Sequence, residues 1–141
     1  MQHVEEEALW ENPIIELEEP FTDERGIIQH LLSLDGPRIQ SVVWIESRKG
    51  SVRANHYHQK DWHYCYIISG SLHYYSRKAN DKDIPRKMLV KHGQIVYTPP
   101  MVEHAMEFLE DTVFLTLAGG TRTQKDYEDD LVRVQLVLAR S

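Results

Sequence analysis

Three of the chain's eight histidines, His56, His58 and His63, fall within eight positions in GSVRANHYHQKDWHYCYIISG, residues 50–70. In an extended segment residues two apart project from one face, so His56 and His58 point together and Tyr57 points away. His63 follows the polar connection Gln59, Lys60, Asp61, Trp62 and opens the next segment. If that segment pairs back antiparallel, His63 swings round to face the other two. Cys65 and Ile67 then share its face, and Tyr64, Tyr66 and Ile68 take the opposite one. Three converging imidazoles make a preformed site for one divalent transition metal such as zinc, iron, nickel or manganese. A fourth candidate, His104, comes later in GQIVYTPPMVEHAM. It follows Pro99 and Pro100, whose fixed backbone angles stiffen the turn before it.

The elements that must position these side chains read as short strands. IIQHLLSL closes at Asp35, Gly36 and Pro37; IQSVVWIES at Lys49 and Gly50; HYCYIIS at Gly70. SLHYYSRK closes at Ala79, Asn80, Asp81 and Lys82, QIVYT at Pro99 and Pro100, and DTVFLTLA at Gly119 and Gly120. Val, Ile, Tyr, Trp and Thr fill the segments, while Gly, Asp, Asn and Pro fill the gaps, which is the pattern of antiparallel strands in a sandwich or barrel. The tail QKDYEDDLVRVQLVLAR spaces Tyr127, Leu131 and Val134 as a helix would, although its VRVQLVL suits a strand equally. One all-β domain is expected over residues 1–141, with an acidic N-terminal arm at 1–12, a barrel at 21–120 and a C-terminal extension at 121–141.

Composition narrows the partners. A chain of 141 residues, 41% hydrophobic, is long enough for a real core. The net charge of −6 and the lack of a Lys/Arg run argue against nucleic acid. The opening MQHVEEEALWENP has no basic region before an apolar run, so no secretory signal is expected, and no stretch of 18 apolar residues suggests a membrane span. The single cysteine, Cys65, fits a reducing compartment, and a cytoplasmic location is expected.

The two histidine stretches resemble the paired motifs of the cupin superfamily. The first motif is Gly, five residues, His-x-His, three or four residues, Glu, six residues, Gly. Here Gly50, His56, His58, His63 and Gly70 keep that spacing, with His63 where the family usually has Glu. The second is Gly, five residues, Pro-x-Gly, two residues, His. Gly93, Pro99 and His104 keep it, with Met101 in place of the motif's Gly. More narrowly, RANHYHQKDWHYCYIISGSL resembles the zinc-binding cupin domain of capsule-polysaccharide bifunctional reductases. PFTDERGIIQHL, EFLEDTVFLTLAGG and KDYEDDL are similar to segments of the dTDP-sugar 3,5-epimerases and 3,4-ketoisomerases. The resemblance implies a cupin-type double-stranded β-helix (a jelly-roll barrel) with a short C-terminal helix or strand, acting on a sugar or nucleotide sugar as a homodimer.

The chemistry stays open at two points. In the ketoisomerases an R-x-x-H-x-H arrangement, matched here by Arg53, His56 and His58, shuttles protons without metal, and Arg53 would then neutralise a diphosphate. A ligating imidazole has already committed its lone pair, so one residue cannot be ligand and base at once. Histidines at all four ligand positions, His56, His58, His63 and His104, favour a metal-binding isomerase or epimerase. Glu103, Tyr66 and Tyr97 are then candidates to move the proton. An iron dioxygenase and a non-catalytic carbohydrate-binding module are the alternatives.

Plainer roles are expected elsewhere. His30 and His73 read as ordinary strand histidines, His3 and His92 as exposed, and Trp62 as a rim cap or a stacking platform. Asp23, Glu24 and Arg25 read as a surface turn, and Glu5, Glu6 and Glu7 as a solvated face.

Overall fold

The structure, a computed structural model, describes residues 10–33, 39–120 and 124–137. His3, the Glu5, Glu6, Glu7 run and the turn at Asp35, Gly36 and Pro37 lie outside the described residues. In chain order the elements are β1 (Phe21–Asp23), β2 (Gly26–Ile28), β3 (Ser41–Ser47), β4 (Val52–His58), β5 (His63–Ser69) and β6 (Ser71–Lys78). They continue with β7 (Arg86–Lys91), β8 (Ile95–Thr98), β9 (Val102–Phe108), β10 (Thr112–Ala118), helix α1 (Gln124–Asp130) and β11 (Leu131–Arg133). Among the described residues no helix is long and apolar enough to cross a membrane.

Two antiparallel sheets face each other. One has the order β3-β10-β5-β8, the other β11-β4-β9-β6-β7, and most neighbours are distant in sequence, as in a jelly roll. Alternation builds the interior. Along β6 the buried residues are Leu72, Tyr74 and Ser76, and along β10 they are Thr112, Phe114, Thr116 and Ala118. Apolar side chains fill one half of the space between the sheets, with Phe108 and Phe114 stacked at 5.7 Å between ring centroids. A second apolar layer lies on the outer face of the four-stranded sheet. There Tyr64, Ile95 and Tyr97 are covered by Ile15, Leu17, Leu31 and Leu32 from the N-terminal segment. That segment docks on the edge of β8, where the Ile15 N–H donates to the Ile95 carbonyl and the Tyr97 N–H to the Pro13 carbonyl.

Several expectations need revision. The stretch IIQHLLSL is a strand only to Ile28, and β1 and β2 pair as a separate hairpin, so the two main sheets begin at Ser41. The tail is both of the forms its sequence allowed, with helix α1 running directly into β11. Two strands, β7 and β9, have no clear signal in the sequence. The reason is plain for β9: all seven of its residues are buried, so the alternation that marks a half-buried strand disappears. Its outward carboxylates stay buried because β6 supplies partners, Arg77 to Glu103 at 2.7 Å and the Tyr75 hydroxyl to Glu107 at 3.2 Å.

The motif glycines carry backbone conformations rather than chemistry. Gly70 has φ of 97°, and a Cβ there would lie 2.3 Å from Thr112 Oγ1, so no side chain fits. Met101 holds the second motif's glycine position at φ of 61°. Its N–H donates to the His58 carbonyl at 2.8 Å and its carbonyl accepts from the Ala79 N–H at 2.9 Å, so the turn is fixed despite the side chain. A left-handed residue with a Cβ costs about 1–2 kcal/mol, against roughly 0.5–1 kcal/mol of extra chain entropy for glycine. Met101→Gly is therefore expected to stabilise the fold by about 0.5–1 kcal/mol, read as a raised urea midpoint with unchanged slope.

Candidate functional site

Strand register brings the imidazoles together. The β4–β9 pairing sets His56 opposite His104, and β5 enters beside them with His63 at its first position. Beyond His63, Cys65 continues the same inward face and bonds Thr116 across the sheet, Sγ to Oγ1 at 3.4 Å. All four histidines are buried, at 7, 2, 6 and 1% exposure for His56, His58, His63 and His104. One ring nitrogen each from His56, His58 and His104 lies within 4.8 Å of the others. His63 sits alongside that triad, its ring centroid 5.0 Å from that of His104 and 5.8 Å from that of His58. The ring of Tyr74 lies parallel to His104 at 6.5 Å, and burial pushes its phenol well above the usual tyrosine range while its oxygen meets Thr98 Oγ1 at 2.7 Å.

A backbone irregularity aims Arg53 into the same space. Arg53 and His56 are three residues apart and would face opposite ways in a regular strand. Ala54 and Asn55, at φ of 71° and 57°, form a bulge where the β4–β9 register shifts. Both Arg53 and His56 then line one cavity of about 350 Å³, together with His58, His63 and His104. Arg53 stands at its rim, with Nε donating to Ser47 Oγ at 2.6 Å and Nη2 to the Glu46 carbonyl at 3.0 Å. The far wall is apolar, formed by Val43, Ile45, Met106 and Phe114.

The other proton-transfer candidates lie elsewhere. Glu103 is on the opposite face of β9 from His104 and is held by Arg77. Tyr66 and Tyr97 belong to the apolar layer outside the four-stranded sheet, where Tyr97 packs on Tyr64 at 4.6 Å. None of the three lines the histidine cavity. The reason is strand parity: each lies an odd number of positions from an inward histidine or its cross-strand neighbour. Trp62 packs edge-on against Tyr64 at 5.8 Å and fills the space beside Gly119, so it caps the barrel rim. His30 meets Ser33 Oγ at 2.7 Å on the surface, and His73 meets Glu107 at 3.4 Å on the outer face of β6. Asp23 and Arg25 pair at 2.7 Å across the β1–β2 turn, and that pairing holds the Asp23 carboxyl below its usual range.

The sequence allowed helix α1 but gave its residues no role at the site. Asp130 at its end places Oδ2 3.2 Å from His58 Nδ1. The same carboxylate accepts the backbone N–H groups of Lys60 at 2.8 Å and Asp61 at 3.1 Å, and the Asp130 carbonyl accepts that of Gln59 at 3.0 Å. One residue thus orients an imidazole and ties down the β4–β5 connection. Tyr127, one turn earlier, sets its ring 5.5 Å from that of His58 and 6.1 Å from that of His56. It stands between the histidine cavity and a second one of about 420 Å³, which it lines with His58, Lys60, Asp61 and Trp62. The acidic run KDYEDD carried no sequence signal for this role, because only the fold brings it to residue 58.

The donor set suits a metal ion. His58 directs Nδ1 at a carboxylate, and His104 directs Nδ1 at the Val102 carbonyl at 3.1 Å, which leaves Nε2 of each as the ligand atom. Three imidazoles in such a cluster are a common catalytic zinc set.

No protein-family profile matches the chain, and no curated protein does. Solved structures match it closely in shape. A variant of QdtA, a 3,4-ketoisomerase from Thermoanaerobacterium thermosaccharolyticum in complex with TDP-4-keto-6-deoxyglucose, superposes with a TM-score of 0.64 at 20% identity over 85% of each chain. The rmlC epimerase of Mycobacterium tuberculosis gives 0.67 at 16% identity over 79% of this chain and 64% of that one. The capsular polysaccharide assembling protein CapF from Staphylococcus aureus gives 0.60 at 20% identity over 84% of this chain and 34% of that one. The chain has a cupin-like fold. Within this cupin-like barrel the outward face of β9 is structural, which Arg77→Leu tests. The variant leaves the Glu103 charge buried without its partner, so a loss of about 2–4 kcal/mol in unfolding free energy is expected. Glu103→Gln in the same chain should recover part of it.

Proposed function

We propose that this chain is a metal-binding cupin that isomerises or epimerises a sugar nucleotide in polysaccharide or glycan biosynthesis. The observation that carries the reading is the buried triad of His56, His58 and His104, with the second nitrogens of His58 and His104 directed at a carboxylate and a carbonyl. The ketoisomerase in complex with TDP-4-keto-6-deoxyglucose and the epimerase, both with the same fold, support the substrate class. His56, His58 and His104 would hold the ion, with His63 adjacent as a fourth donor. A divalent ion bound there supplies Lewis acidity toward a sugar carbonyl or enediolate oxygen.

The chain's own residues do the rest. Arg53, at the rim, offers a guanidinium to a diphosphate once its Ser47 and Glu46 contacts yield. Val43, Ile45, Met106 and Phe114 exclude water from the far wall and face the less polar side of the ring. With Glu103, Tyr66 and Tyr97 outside the cavity, Tyr127 is a lining group able to move a proton without being a histidine ligand, through its hydroxyl. The carboxylate behind His58 also favours a second, metal-free reading, in which Asp130 holds the imidazole tautomer and His58 Nε2 is the base.

Elemental analysis of the purified protein is expected to find about one zinc, iron, nickel or manganese per chain, depleted in His58→Ala and His104→Ala. TDP-4-keto-6-deoxyglucose incubated in deuterium oxide with the enzyme should take up deuterium beside its carbonyl. Uptake by metal-free protein would select the second reading, and no uptake by either form would remove the isomerase.

We also propose a cytoplasmic homodimer. Phe21, Ile27 and Ile28 on the β1–β2 hairpin are 61, 65 and 67% exposed, and Val42 and Trp44 on edge strand β3 are 62 and 57% exposed. A lone two-stranded hairpin is marginal in water, and apolar exposure of this extent suits a second copy. Trp44→Glu is expected to shift the sedimentation coefficient from dimer to monomer.

A further inference from the structure

The C-terminal segment reaches the histidine site from outside the barrel, and two contacts on either side of β11 hold it there. Before β11, Asp130 grips residues 59–61 and His58, as described above. After β11, the grip belongs to Asn55. Its side-chain nitrogen donates to the Val137 carbonyl at 2.8 Å, and its oxygen accepts the N–H groups of Val137 at 3.0 Å and Leu136 at 3.2 Å. Its backbone carbonyl also accepts the Val134 N–H at 2.9 Å. One residue in the bulge of β4 therefore binds a segment some 80 positions away with both ends of its amide.

Asn55 does not line the histidine cavity, although its neighbours Ala54 and His56 do. Its left-handed φ of 57° is one that asparagine tolerates better than most residues with a Cβ. β11 itself pairs with β4 over only three residues, Leu131 to His58, Val132 to Tyr57 and Arg133 to His56. Three pairs make a weak ladder at a sheet edge, and α1 has seven residues, too few to be stable alone. The position of Asp130 and Tyr127 over the imidazoles therefore depends on what pins the segment beyond β11.

We infer that Asn55 is a positioning residue: it latches residues 134–137 to the β4 bulge and so holds Asp130 against His58 and the β4–β5 connection. The role rests on the metal-binding reading for its consequence at the triad, while the latch itself is independent of that reading. A carboxylate partner behind a ligating histidine is worth about 10–100-fold in metal affinity, and losing the latch should forfeit much of that.

The test uses the full chain and four variants: Asn55→Gly, Asn55→Asp, Asp130→Ala and the double variant Asn55→Gly with Asp130→Ala. Glycine keeps the left-handed backbone, so Asn55→Gly removes the amide alone. Zinc affinity is measured by competition with a chromophoric chelator, and amide hydrogen exchange is followed in parallel. Asn55→Gly is expected to weaken zinc roughly 10–100-fold. Asn55→Asp, which keeps the acceptor for Leu136 and Val137, should restore most of the affinity. The double variant should be no weaker than Asp130→Ala alone, because Asn55 acts through Asp130. Wild-type affinity in Asn55→Gly, or a double variant weakened by the product of the two single effects, overturns the proposal. If the wild-type chain takes up no zinc, exchange alone decides the latch. Faster exchange of the Gln59, Lys60 and Asp61 amides in Asn55→Gly, with the β4–β9 ladder unchanged, supports it, and unchanged exchange at those amides sinks it.

Discussion

Burying imidazoles in the middle of a β sandwich imposes a constraint that much of this structure answers. Four histidines with less than a tenth of their surface exposed carry polar nitrogens into a low-dielectric interior, where a polar atom without a partner costs a few kcal/mol. Other parts of the same chain supply partners for two of these rings. The Val102 carbonyl, two residues before His104 on the same strand, serves that ring, and Asp130 serves His58 from a different part of the molecule. The local solution is part of strand geometry. The distant one requires the C-terminal segment to fold back across the edge of the five-stranded sheet.

Among the described residues, fulfilling that constraint strains the backbone mainly near the site. Of the four non-glycine residues with positive φ among the described residues, Ala54 and Asn55 adjoin His56, and Met101 bonds the carbonyl of His58. Each such residue stores energy that its surroundings must hold in place. The bulge redirects β4 so that Arg53 shares the cavity with His56, and the Met101 turn fixes the approach of β9 to β4. Strain here is the consequence of aiming several polar side chains at one volume from strands whose regular alternation would scatter them.

Legibility in the sequence followed solvent contrast. Strands with one wet face, such as β3, β6 and β10, alternate and could be bounded to within a residue or two. β9 could not, because ion pairs with β6 let carboxylates occupy a buried face and erased the contrast. The inward face of β5 was readable by the same parity argument, which correctly grouped His63 with Cys65 and opposed both to Tyr66. Tyr66, Tyr97 and Glu103 were attractive as proton carriers for their chemistry alone, and strand parity turns all three away. Tyr127 and Asp130 look like solvated helix residues in an acidic tail, and nothing local to them mentions a histidine.

What the sequence determined by itself was the local geometry: the i, i+2 pairing of His56 and His58, the turn glycines, and an all-β chain whose spacings match a cupin barrel. Short-range backbone sterics and side-chain alternation decide these, and both act within a few residues. The tertiary structure alone decided that His104 lies opposite His56, that three ring nitrogens rather than four come within 4.8 Å of each other, and that Asp130 stands behind His58. Those are contacts between segments tens of residues apart, fixed by register and by the return of the C-terminal segment, and no local pattern encodes a register between strands that have yet to meet.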